Sequence, residues 1–162
     1  MERWNLKTIM TDHINIKTIL HQNCLEFVSD RLQTVENTIT EIQQSLQSET
    51  KSSAGDKHET GRAMLQLERE KAGHQLAEIE KLKLVLSKIN PEAKHQIIAL
   101  GSLVYTTQSN YFIAISAGAL TINNTLFFAI SAATPIAQLL LSKKVGEDFI
   151  FRDTTIKITK VI

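Results

Sequence analysis

The sequence predicts an α+β protein: an N-terminal antiparallel helical hairpin followed by a small antiparallel sheet wrapping one helix. Three observations predict it. Leu25, Val28, Leu32, Val35, Ile39, Ile42 and Leu46 recur at alternating spacings of 3 and 4, a heptad seam that asks for a straight partner helix. After Asn90-Pro91 the apolar period changes to 2, with Tyr111, Ile113 and Ile115 alternating with Phe112, Ala114 and Ser116. Charge is partitioned at nearly the same place: residues 12–89 carry 10 Lys/Arg and 12 Asp/Glu, whereas residues 96–142 carry no charged side chain. Proline disfavours helix in the residue before it, so the helical part should stop at Asn90.

These boundaries divide the chain into an N-terminal extension (1–12), a helical arm (13–90) and a sheet domain (91–162). Met10 is an alternative start to Met1. Within the arm, Glu, Asp, Gln, Asn and Thr fill the positions between seam residues and suit solvent-facing sides. The seam stops at Leu46. Residues 47–59 are polar apart from Ala54 and read as a turn, with its centre between Gln47 and Asp56. The helical pattern resumes through Met64, Leu65, Ala72, Leu76, Ile79, Leu82, Leu86 and Ile89. Two helices joined by a short polar turn run antiparallel, so the second supplies the partner that the first one's seam requires. Leu25, Leu32, Ile39, Leu76, Ile79 and Leu86 are the residues expected at their interface, and the chain is expected to be a monomer.

In the sheet domain, Phe149 and Phe151 alternate with Ile150 and Arg152, and Ile156, Ile158, Val161 and Ile162 close the chain. Asn110, Gly118, Asn123-Asn124 and Gly146 punctuate the strands. Thr134-Pro135 opens a short helix, with Thr134 as N-cap and Pro135 at the first helical position. Lys143 and Lys144 are expected at the negative end of its dipole.

Composition narrows the function. With 162 residues, net charge +1 and 22% charged residues, neither a nucleic-acid-binding surface nor a disordered tail is called for. The lone Cys24 excludes an internal disulfide and a cysteine-cluster zinc site; beside apolar helix positions it reads as a buried small hydrophobe in a reduced, cytoplasmic protein. No secretory signal is read at the N-terminus. The uncharged stretch is broken by Asn110, Gly118, Asn123, Asn124 and Pro135, which argues against a membrane span of about 20 apolar residues. The sheet domain has no cysteine, only His95, few acids and no phosphate-cradling glycine motif, so it reads as a docking module.

The chemistry therefore falls on the polar tip, where Gly55-Asp56-Lys57-His58-Glu59 places two carboxylates away from any core. Their spacing is also that of a capping box, Asp56 as N-cap and Glu59 reaching back from the third helical position. Lys51, Lys57, Arg62 and Arg69 give the arm near the tip a basic character suited to RNA or a protein surface, or to plain solvation.

Two segments resemble the GreA/GreB family of bacterial transcript-cleavage factors. One is the Gly55-Asp56-x-x-Glu59 tip, similar to that family's Gly-Asp-x-x-Glu-Asn. The other is Ile130-Ser131-Ala132-Ala133-Thr134-Pro135-Ile136-Ala137 with Leu139-Leu140-Leu141-Ser142-Lys143-Lys144-Val145-Gly146-Glu147, similar to the Ile-Ser-x-x-Ser-Pro-Ile signature and its Gly-Lys-x-Val-Gly-Asp continuation. The resemblance spans nearly the whole chain past about residue 12. It implies a coiled-coil arm, an FKBP-like docking domain and RNA polymerase as the partner. The arm would enter the polymerase's secondary channel, where Asp56 and Glu59 help hold a Mg²⁺ and a water that cleave backtracked RNA. RNA and DNA would be met only within the elongation complex. The Mg²⁺ belongs to the polymerase, the chain has no cofactor of its own, and it is expected not to be an enzyme by itself.

The match has departures: Thr60, Gly61, Arg62 and Ala63 replace the family's Asn-Ala-Glu-Tyr, Ser142 stands for Gly, and Glu147 for Asp. A polymerase-binding competitor or inhibitor without cleavage activity, and a coiled-coil adaptor for another partner, are the alternatives. An FKBP-like domain also raises prolyl isomerisation, for which Tyr105, Tyr111, Phe112, Phe127 and Phe128 would have to line a pocket.

Overall fold

The computed structural model describes residues 6–51 and 55–162, with side chains over residues 16–48 and 59–162. Two long helices, α1 (Leu6–Lys51) and α2 (Gly55–Ser87), precede six strands and a short helix: β1 (Leu103–Thr106), β2 (Asn110–Ala114), β3 (Gly118–Ile122), β4 (Thr125–Ser131), α3 (Pro135–Leu140), β5 (Asp148–Phe151) and β6 (Thr154–Val161). By compactness the chain forms two units, one of residues 27–83 and one of residues 1–26 with 84–162. Both helix bases thus belong with the sheet, although composition shifts only at Pro91.

In the helical unit, Val28, Val35 and Ile42 of α1 and Ala72 and Ile79 of α2 are buried, each set on one stripe. Arg31 of α1 shares a cleft with Lys71, His74, Gln75 and Glu78, whereas Leu46 shares one with Gln66, Arg69 and Glu70. Early positions of α1 therefore face late positions of α2, and the helices run antiparallel. The seam departs from expectation at its base. Leu25 is 39% exposed, and Cys24 and Leu20 are fully buried instead. A 3.6-residue helix drifts relative to a strict 3.5-residue repeat, and by the base of α1 the inward position has passed from Leu25 to Cys24.

The expected turn over 47–59 is also shorter than the composition suggests. α1 is 46 residues long and runs to Lys51, and α2 resumes at Gly55. Gln47 and Ser48 end the apolar seam without breaking the helix, since their backbones are satisfied internally and their side chains are exposed.

The sheet has the order β3-β4-β2-β1-β6-β5. It is mixed rather than purely antiparallel: β2 pairs with β4 in parallel, Phe112 opposite Ala129, while the remaining pairs are antiparallel. β3 folds back on β4 as a hairpin and returns β4 alongside β2 in the same direction. The β3–β4 turn, Asn123-Asn124, has φ of 49° and 62°, and the β5–β6 turn, Arg152-Asp153, has 50° and 63°. Both are left-handed pairs of the kind that matches the twist of flanking strands. Arg152 thus lies in a turn, not in the strand alternation the sequence suggested.

Alternation also fails in β2, where Tyr111, Phe112, Ile113 and Ala114 are all buried. A strand in mid-sheet is covered on both faces and reads as a continuous apolar run. Tyr111 and Ile113 join Val104, Phe149, Ile156 and Ile158 in a cluster closed by Ile136 and Leu140 of α3. That helix starts as expected: Pro135 is its first residue and the Thr134 hydroxyl accepts the Ala137 N–H at 3.4 Å. Its end differs, because Lys143 and Lys144 lie beyond it and no basic residue occupies its last turn. The chain leaves α3 through Ser142 at φ 70°, and Lys144 forms a bridge with Ile97. Among the described residues, no helix is long and apolar enough to cross a membrane.

Candidate functional site: the start of the second helix

α2 begins at Gly55, so Asp56 and Glu59 fall in its opening residues, one turn apart on the helix. Backbone positions three apart share a face, which brings the two carboxylate-bearing residues to the same side of α2. The capping reading of Asp56 and Glu59 falls on the Asp56 side chain and lies outside the described residues. An acid in the first turn is favoured by the positive end of the helix dipole. Glu59, Arg62 and Arg69 are exposed, and Arg69 lines a cleft with Leu46, Gln66 and Glu70. The side chains of Lys51, Asp56 and Lys57 lie outside the described residues.

Away from the tip, α2 carries local ion pairs: Lys81–Glu78 at 2.8 Å and Lys83–Glu80 at 3.6 Å. The hydrogen bond and charge of Lys81 hold the Glu78 carboxyl below its usual range. These pairs are solvated and local. Among the described residues no group of three His, Cys, Asp or Glu is placed to hold a metal ion. Mg²⁺ commonly takes one or two protein carboxylates and fills its shell with water and phosphate oxygens. Asp56 and Glu59 fit that donor set only where another molecule brings the rest of the shell.

The aromatic residues available for a proline pocket are used otherwise. Tyr111, Phe112 and Phe127 are buried, Tyr105 meets Phe127 edge-on at 5.8 Å, and Phe128 lies 6.2 Å from Tyr111. Cys24 is fully buried, as expected, and burial pushes its thiol up to about 11, far from the reactive thiolate range.

A second polar cluster escapes the sequence reading. Lys17 is fully buried, and its ammonium donates to the backbone oxygens of Ala93 at 2.6 Å and Ile162 at 3.1 Å. Burial lowers its pKa from 10.5 to about 8. Beside this lies Ser102, also fully buried, whose Oγ accepts the Ala99 N–H at 2.9 Å and meets His95 Nδ1 at 2.5 Å. Its signal in sequence is that Lys17 sits three residues before Leu20 and seven before Cys24, on their stripe.

No protein-family model matches the chain, and no curated protein matches it in sequence.

Proposed function

We propose that the protein is an RNA polymerase-binding elongation factor of the GreA/GreB type, with a coiled-coil arm and an FKBP-like docking domain. The arm carries Asp56 and Glu59 through the secondary channel to the polymerase's catalytic centre and stimulates cleavage of backtracked RNA. The observation that carries this reading is the position of the two acids at the start of α2, at the junction of two antiparallel helices. In two-metal phosphoryl chemistry, one ion activates the attacking water and the other steadies the leaving oxygen. Two carboxylate-bearing residues one turn apart at a helix start are suited to completing the shell of the less tightly held ion.

The second segment of the resemblance supports the same reading through backbone geometry. Ser142 occupies the position where the family has glycine, and its φ of 70° is one that glycine adopts without strain. Gly146, the second glycine of that pattern, has φ 89° in the turn closed by Glu147 N–H to the Lys144 oxygen.

A polymerase-binding competitor without cleavage activity is favoured by one specific feature: Arg62 and Ala63 stand, exposed, where the family carries an acid and a tyrosine. A stalled, backtracked elongation complex with labelled RNA separates the readings. The purified protein should co-purify with core polymerase and accelerate RNA shortening in Mg²⁺. Retention on polymerase with suppressed intrinsic cleavage would establish the competitor, and no retention would reject both.

A further inference from the structure

The connector between α2 and β1 is held by groups whose charge states conflict. Its first part is tied to α1 by Lys17, which donates to Ala93 and also to Ile162. Its last part is a tight turn, with Ser102 N–H donating to the Ala99 oxygen at 3.0 Å and Gly101 at φ 88°. The buried Ser102 hydroxyl is the hub of that turn, because it receives the Ala99 N–H and faces His95 Nδ1. Ser102 is also tied into the sheet, since its own oxygen accepts the Ile113 N–H at 3.0 Å. The turn is close-packed: a Cβ on Gly101 would lie 3.1 Å from Ile89 and 3.7 Å from His95.

A hydroxyl that already accepts the Ala99 N–H satisfies its own hydrogen by donating to an unprotonated Nδ1, which places the ring proton of neutral His95 on Nε2. A second proton on the ring turns Nδ1 into a donor. The Ser102 hydroxyl hydrogen then loses its acceptor inside the protein, where an unmade hydrogen bond is costly. The new imidazolium is also repelled by the charge of Lys17. Among the described residues, the other titratable groups on these elements in the same unit are His21, bonded to the Leu86 oxygen, Cys24 and Glu26 on α1, the exposed Lys88, Glu92 and Lys94, Tyr105 on β1, and Lys157 and Lys160 on β6. Of all these, Lys17 is the one whose charge bears on His95. Asp12 and His13, about one turn earlier on α1, lie outside the described side chains.

We propose that Lys17, His95 and Ser102 form an acid-sensitive latch, closed while His95 is neutral, that holds residues 90–102 against the base of α1 and the end of β6. The inference is independent of the polymerase reading. Burial and, secondarily, the Lys17 charge lower the His95 pKa from its ordinary 6.5, so the latch opens below that value. At that pH Lys17 is already fully charged, since it titrates near 8.

The test is a histidine-resolved NMR titration of the full chain from about pH 8 to about pH 5, with amide exchange followed in parallel. His95 should titrate below 6.5, and the Ala99 and Ser102 amides should lose protection over the same interval, by about tenfold for each unit by which its pKa is lowered. Lys17→Met should move the His95 midpoint up toward 6.5, and His95→Gln should abolish the acid loss of protection. A wild-type midpoint at or above 6.5 overturns the latch, as does protection of Ala99 and Ser102 that stays constant through the midpoint. An unchanged midpoint in Lys17→Met, or a full acid response in His95→Gln, also overturns it. If either variant does not fold, the wild-type titration and exchange decide alone.

Discussion

In the helical unit each helix buries a single stripe, whereas in the sheet unit β2 is buried on both faces and α3 closes one of them. The stripe is spare. Of the α1 seam only Val28, Val35 and Ile42 are buried, while Leu32, Ile39 and Leu46 are half exposed. The surrounding charges contribute little stability, because exposed pairs such as Lys81–Glu78 are screened by solvent. The contrast teaches how labour is divided. A thin helical pair is long and cheap to extend, and its polar end leaves room for chemistry that a packed core would forbid. Stability is concentrated in the sheet unit.

The largest expected effect tests that concentration. Phe112 is fully buried in mid-sheet, and Phe112→Ala should destabilise the protein by about 3–5 kcal/mol through lost burial and a residual cavity. Leu76→Ala, at a half-buried position of α2, should cost about 1 kcal/mol, since much of that side chain already meets water. Urea unfolding of both variants measures the ratio. Equal losses would erase the distinction between the units.

Next in size is the buried ammonium of Lys17. Its folded pKa, about 8, lies below the ordinary 10.5, so the unfolded chain binds this proton more tightly. A depressed folded pKa means stability that is fully present above about 10.5 and lost as pH falls through about 8. The full span corresponds to about 3 kcal/mol at 1.36 kcal/mol per pKa unit. Denaturation midpoints should therefore rise with pH across this window, and Lys17→Met should flatten the slope. A falling midpoint in the wild type would show that the bonds to Ala93 and Ile162 outweigh the burial of charge.

Legibility in the sequence followed the range of the interactions. Local signals were readable: the Thr134-Pro135 helix start, the seam through Val28 and Ile42, and the turn residues Asn123-Asn124. The parallel pairing of β2 with β4 was not, because nothing within either strand encodes which neighbour it meets. The helical state of residues just after Leu46 was hidden by equating loss of apolar residues with loss of helix. The burial of Lys17 was hidden because lysine is a surface residue by type, and only its place on the stripe of Leu20 and Cys24 points inward. At the tip, the identity of Asp56 and Glu59 was legible from their isolation among polar residues, but their register within α2 depended on where the helix begins.

A smaller effect sharpens the description of the sheet unit. Ser142 holds φ 70° as the chain leaves α3, a conformation that glycine adopts without a Cβ penalty. Ser142→Gly should stabilise by up to about 1 kcal/mol, read as a rise in the thermal midpoint. A loss of stability would mean that the serine side chain contributes more than its backbone strain costs.

The smallest expected change in stability carries the largest expected change in function. Asp56→Asn and Glu59→Gln keep size and polarity at the start of α2 while removing the charges. Each should alter unfolding free energy by no more than about 1 kcal/mol, the scale of a helix-dipole contact at an exposed end. Neither residue contributes to the sheet-unit core, so co-purification with polymerase should match the wild type. Stimulated RNA cleavage should nevertheless be lost in both, because a carboxamide binds Mg²⁺ poorly compared with a carboxylate. The three measurements must be made on the same preparations, since a misfolded arm would also abolish cleavage. Wild-type stability and binding with no cleavage would place the chemistry in the least stable part of the molecule. Full cleavage by Asp56→Asn would remove that residue from the metal shell and leave its charge serving the helix start alone.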